Sequence, residues 1–124
     1  MSDSEAVIDA AVLDDLRGSV DGDRSFVVEL IETYLADGAA CVDAIGSAVE
    51  VADANALVRP AHTLKSSSAT LGAARLATLA RELEMIGRSG AMGADARDLV
   101  AGLRAAWPAT AEAFRAWVER GRAG

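Results

Sequence analysis

Apolar residues recur along most of the chain at intervals of three and four, the spacing of one face of an α-helix. Asp9 can cap a short first helix that ends near Gly18, with Leu13 and Leu16 as its buried contacts. Ser19-Val20-Asp21-Gly22-Asp23 reads as a turn. A long helix is expected from about Arg24 to Val49, with Val27, Leu30/Ile31, Tyr34, Cys41/Val42, Ile45 and Val49 on its apolar stripe. Asp53 opens a third helix that reaches Leu71, where Gly72 is the C-cap candidate. Pro60 lies within it and predicts a kink or a tightened first turn. A fourth helix spans about Ala73 to Gly87, with Leu76, Leu79, Ala80, Leu83 and Ile86 on one stripe, and 88–93 forms a loop. The last helix runs from about Asp95 to Arg120, with Leu99, Leu103, Trp107, Phe114 and Trp117 inward and a bend at Pro108.

The fold class predicted is all-α. Four long amphipathic helices on short loops pack most simply as an antiparallel up-down bundle, and the short N-terminal helix is an extra piece capping one end. No linker divides the chain, so residues 1–124 read as one domain. Composition agrees: aromatics are only 4% and the commonest residues favour helix over strand.

Charge narrows the function. The net charge of −7 opposes a nucleic-acid role, which requires cations to neutralise phosphates. No uncharged apolar run is long enough to span a membrane, and the acidic start at Met1 argues against a targeting segment. A single cysteine, Cys41, makes no internal disulfide and suits a reducing cytoplasm. Residues 1–55 hold 13 acids against Arg17 and Arg24, whereas 56–88 carry Arg59, Lys65, Arg75, Arg81 and Arg88 against Glu82 and Glu84. A basic surface on an acidic protein suits an anionic group.

That stretch contains the only histidine, His62, and three residues on the only lysine, Lys65. Leu57, Leu64 and Leu71 fall together on the third helix, and at about 100° per residue His62 lies roughly 160° from their centre. Asn55, Lys65, Ser66 and Ala69 share its outward face. A metal site is not expected around one histidine without convergent ligands. Ser66, Ser67 and Ser68 lie inside a helix, so a hydrolase nucleophile on a strained turn is not expected either. What remains is nucleophilic chemistry by the imidazole, whose ordinary pKa of about 6.5 leaves a nitrogen lone pair free at neutral pH. Lys65 would offset the charge of a phosphoryl group on that nitrogen, and Ser66 is small enough to leave room for a partner.

The run Ala61-His62-Thr63-Leu64-Lys65-Ser66-Ser67-Ser68-Ala69-Thr70-Leu71-Gly72-Ala73 resembles the signature of histidine-containing phosphotransfer (HPt) domains. The likeness extends through Leu76, Leu83 and Glu84, and upstream through Gly22-Asp23, Phe26 and Glu29-Leu30, covering roughly residues 7–105. Ser66 departs from the family's commoner glycine, narrowing the approach to the ring.

The resemblance implies that His62 is the phosphoacceptor, Lys65 its basic neighbour and Ser66 the small residue beneath the ring. Glu84 stands in the place of a polar residue on the next helix, and Arg88 in that of a nearby base. It implies phosphorelay partners, namely receiver domains of response regulators and hybrid histidine kinases, with Mg²⁺ on the receiver and no cofactor here. The docking surface expected combines Asn55, Arg59 and Ala69 with the flank Ala77, Arg81, Glu84 and Arg88. Without a Gly-rich nucleotide loop the chain is expected to be a phosphocarrier rather than a kinase. A monomer is expected, and the short termini suggest a free-standing protein. The rival is a non-catalytic helical bundle that binds a partner, distinguished by the acid lability of any phosphorylated form.

Overall fold

The computed structural model describes residues 7–19 and 24–123. Its helices are α1 (Ala10–Ser19), α2 (Arg24–Glu50), α3 (Ala54–Leu71), α4 (Ala74–Ser89) and α5 (Ala94–Ala123). Each of α2 to α5 packs on its neighbour in sequence, and α5 returns to α2, closing a four-helix bundle. The short α1 lies across α2 and α3 as the extra helix. One core runs through all of them, centred on Leu13, Ile31, Leu57, Leu64, Leu76, Leu83, Leu103 and Phe114.

Most expected boundaries hold within two residues, but α5 continues past the expected end at Arg120 to Ala123. Arg88 and Ser89 belong to α4 rather than to the loop, because α4 ends only at Gly90. Ser19 completes α1, while the rest of the expected turn, 20–23, lies outside the described residues together with Gly22-Asp23 of the family stretch. Helices α3 and α5 run through Pro60 and Pro108 as continuous elements. Leu16, Leu30, Cys41, Leu79, Ile86, Leu99 and Trp107 are half-buried against the core rather than inside it.

Two turns fix the helix that carries His62. Asp53 caps its start, with Oδ1 accepting from the Ala56 amide at 3.1 Å. Gly72 ends it at φ 86° while the Ala73 amide reaches back to the Ser68 carbonyl at 2.8 Å. A Cβ on Gly72 would stand 3.0 Å from the Asp9 carbonyl oxygen and 3.1 Å from Val12 Cβ, so glycine also admits α1. The preceding turn has the same form but places Ala52 at φ 56°.

Opposite effects of two substitutions follow. Ala52→Gly should stabilise the fold by up to about 1 kcal/mol by removing the left-handed penalty, whereas Gly72→Ala should destabilise it by at least that amount. Urea denaturation of both variants measures the difference.

A polar side-chain pair sits in the core. The Tyr34 hydroxyl on α2 and Ser68 Oγ on α3 lie 2.7 Å apart, and the Tyr34 ring meets Phe114 edge-on and Trp107 at a tilt. Burial pushes the Tyr34 hydroxyl up to about 12, opposed by the hydrogen bond shared with Ser68, so it remains a neutral phenol. At the far end, the Arg24 guanidinium lies 3.8 Å from the Trp117 ring centroid and donates to the Trp117 carbonyl at 2.6 Å, tying α2 to α5.

Candidate functional site

His62 lies in the middle of α3 with its ring 53% exposed, on the side away from the buried Leu57, Leu64 and Leu71. It is not isolated in solvent. Its Nδ1 is 2.9 Å from Oε2 of Glu84 on α4. Glu84 is only 5% exposed, and the same carboxylate meets Lys65 Nζ at 2.8 Å through Oε1. Arg88, one turn further along α4, donates to Oε2 from Nη2 at 2.7 Å and from Nε at 3.0 Å.

Close packing of α3 on α4 makes this cluster possible. Gly87 lies one turn beyond Glu84, and a Cβ there would stand 2.9 Å from Val58 Cγ2 and 3.0 Å from the Ala54 carbonyl oxygen. The glycine lets the two backbones approach and brings a short glutamate within reach of the imidazole.

The ionisation of Glu84 determines the tautomer of His62. Lys65 first, then Arg88 and His62, hold the Glu84 carboxyl down at about 2 against the opposing effect of burial, from an ordinary 4.5. An ionised carboxylate can only accept hydrogen bonds. The proton of a neutral imidazole therefore lies on Nδ1, and the unprotonated Nε2 is left with its lone pair.

The depressed carboxyl also predicts a pH effect. A carboxylate whose folded pKa lies below its unfolded value stabilises the fold above the unfolded value, and that stabilisation is lost as pH falls towards the folded one. Stability should therefore decline as pH falls from 4.5 to about 2. Denaturation curves across this window should show a shallower decline for Glu84→Gln than for wild type.

On the other side of His62 a groove of about 550 Å³ runs between α2 and α3, lined by Leu30, Thr33, Tyr34, Asp37, Thr63, Ser66, Ser67 and Thr70 among others. Two of its hydroxyls are turned inward: Ser67 Oγ donates to the Thr63 carbonyl at 2.9 Å and Thr70 Oγ1 to that of Ser66 at 3.0 Å. Back-bonded in this way, the residues present methyl and methylene groups outward. The groove is apolar despite its sequence.

The expected site residues separate into two groups. His62, Lys65, Glu84 and Arg88 form one contact cluster, and Ser66 lies exposed at the groove beside it. Asn55, Arg59, Ala69 and Arg81 are exposed on the same two helices, and Ala77 is half-buried. Glu84 reads from sequence as a surface contact, but it is buried with its two oxygens occupied. Among the described residues, no three His, Cys, Asp or Glu side chains converge as a metal site, and no helix is long and apolar enough to cross a membrane.

Comparison with known proteins agrees with the fold. Residues 29–119 match the Hpt domain family, and the chain belongs to it. It is a histidine-phosphotransfer protein of the phosphorelay class. Among solved structures it is similar to histidine-containing phosphotransfer protein B of Pseudomonas aeruginosa, at 25% identity and TM-score 0.82, over 92% of this chain and 96% of that one. The HPT domain of a sensor hybrid histidine kinase from Shewanella shares the fold at 15% identity and TM-score 0.75, over 95% and 97% of the two chains. No curated protein matches the sequence.

Proposed function

We propose that Nε2 of His62 takes a phosphoryl group from the aspartyl phosphate of one receiver domain and passes it to the aspartate of another. The observation that carries this reading is the hydrogen bond between Nδ1 and Glu84, made while the ring stays half exposed. A nucleophilic imidazole needs one nitrogen protonated and held, and the other bare and accessible. Glu84 supports both conditions. When Nε2 bonds phosphorus the ring becomes cationic, and the carboxylate already beside it offsets that charge.

Receivers of response regulators and of hybrid histidine kinases are the partners, and the receiver's Mg²⁺ acts on the phosphoryl group from the other side. The protein carries phosphate without a kinase activity of its own, as a monomer in the cytoplasm. The docking surface in this reading is the exposed face of α3. Lys65, Arg81 and Arg88 flank it on the α4 side and exposed Arg59 lies one turn before Thr63 on the other, a basic rim suited to the acidic phosphorylation pocket of a receiver. The groove towards α2 offers an apolar seat on the other.

Mixing the protein with radiolabelled phosphoreceivers and Mg²⁺ tests the reading, since label should move to this chain in acid-labile form. Ser66→Trp tests the seat. An indole filling the groove beside His62 should slow transfer from a receiver by tenfold or more, roughly the effect of losing 1.4 kcal/mol of docking. Phosphorylation by phosphoramidate, too small to need docking, should change little. Equal slowing with both donors would place the receiver elsewhere.

A further inference from the structure

The two oxygens of Glu84 have different partners. Oε2 accepts from His62 Nδ1 at 2.9 Å and from Arg88 Nε and Nη2 at 3.0 and 2.7 Å, whereas Oε1, among the described residues, meets only Lys65 Nζ, at 2.8 Å. Arg88 reaches Glu84 from the same helix with a planar fork, and Lys65 reaches it across from α3 on a flexible stem. Lys65 also stands one turn from His62 on that helix.

We infer that Lys65 is an exchangeable cation and Arg88 a fixed one: on phosphorylation of His62, Lys65 leaves Oε1 for the phosphoryl oxygens while Arg88 keeps Glu84 on the Nδ1 proton. This rests on the proposed role of His62. In the transfer step the Nε2 lone pair forms the N–P bond as the bond from phosphorus to the aspartyl oxygen breaks. The aspartate departs as a carboxylate, and the Nδ1 proton stays on the ring.

Charge favours the exchange. Before transfer, Glu84, Lys65 and Arg88 with a neutral ring carry one net positive charge, which attracts an anion. Afterwards the ring is cationic and the phosphoryl group carries up to two negative charges, so the cluster is close to neutral. Glu84 then has two cations on its Oε2 side, the ring and Arg88, and no longer needs Lys65. The phosphoryl oxygens, by contrast, are new acceptors with no cation from this chain until Lys65 turns to them. Arg88 could not replace Lys65 without releasing the carboxylate that orients the ring. It is thus a positioning residue that acts through Glu84.

The chain has one histidine and one lysine, so ¹⁵N labelling of these two side chains yields only the Nδ1 and Nε2 signals of one imidazole and one Nζ signal to follow. Phosphoramidate serves as donor, and ³¹P NMR reports the N–P bond. In wild type the imidazole should be in the Nδ1-protonated form, and phosphorylation should shift the Lys65 Nζ resonance while Nδ1 keeps its proton. Lys65→Ala should retain the tautomer but shorten the phosphohistidine lifetime about tenfold. Arg88→Ala should give mixed tautomers with an unchanged far-UV spectrum, and Arg88→Lys should restore the Nδ1–H form. An N–P signal with an unmoved Lys65 resonance would overturn the exchange, and an unaltered tautomer in Arg88→Ala would overturn the positioning role. Absence of any N–P signal in wild type would overturn the phosphoacceptor assignment itself, and the exchange with it.

Discussion

Replacing His62 by glutamine is expected to abolish acid-labile phosphoryl uptake while leaving the bundle folded. The loss is complete because a carboxamide nitrogen has no available lone pair with which to attack phosphorus, and no second histidine can substitute. The fold survives for two reasons. The ring is 53% exposed and contributes little to the core, so the change in stability should stay within about 1 kcal/mol. Glutamine also carries an N–H₂ group that can donate to Glu84, so the buried carboxylate keeps a partner on that side. Transfer assays with a phosphorylated receiver, alongside far-UV circular dichroism and urea denaturation, separate the chemical loss from any structural one. Residual acid-labile label on the variant would contradict the role assigned to His62.

The second large effect is expected at Lys65. Lys65→Ala removes the cation on Oε1 but leaves Oε2 with its three hydrogen bonds, so the imidazole stays oriented and phosphoryl uptake persists. What is lost is a charge-assisted contact to the transferring group. Such a contact contributes about 1–3 kcal/mol, which is roughly a tenfold to hundredfold fall in rate. Lys65→Arg should recover part of it, because the charge returns on a bulkier group. Rapid-quench kinetics on the three proteins, with one receiver and fixed Mg²⁺, would show the series. A rate for Lys65→Ala equal to wild type would mean that the phosphoryl group is neutralised from the receiver alone.

Much of the fold was legible because helical periodicity is a local property. The stripes on α2, α3 and α5 announce their inward faces, and the position of His62 opposite Leu57, Leu64 and Leu71 follows from angle alone. The fourth helix was harder. The expected stripe holds Leu76, Leu79, Ala80, Leu83 and Ile86, but the buried set is Leu76, Ala80, Leu83, Glu84 and Gly87, with Leu79 and Ile86 only half-buried. Small residues at 80 and 87 let α3 approach, and the buried face turns towards α3 and takes Glu84 with it. Hydrophobicity gives no weight to a glycine notch, so a glutamate between two small residues reads as a solvated flank.

A usable signal was nonetheless present. Ala80, Glu84 and Gly87 recur at helical spacing, and the next helix back carries the lone histidine with a lysine one turn away. The inward turn of the Ser67 and Thr70 hydroxyls had no counterpart in composition. It depends on which backbone carbonyl each side chain finds once the helix has formed.

The most direct test of the central claim is the identity of the atom that carries phosphorus. After incubation with a phosphorylated receiver and Mg²⁺, the chain labelled with ¹⁵N-histidine should show one ³¹P signal coupled to Nε2 of His62, and acid treatment should remove it. Phosphorus on Nδ1, or an acid-stable phosphate on a serine or threonine such as Ser66, would contradict the account.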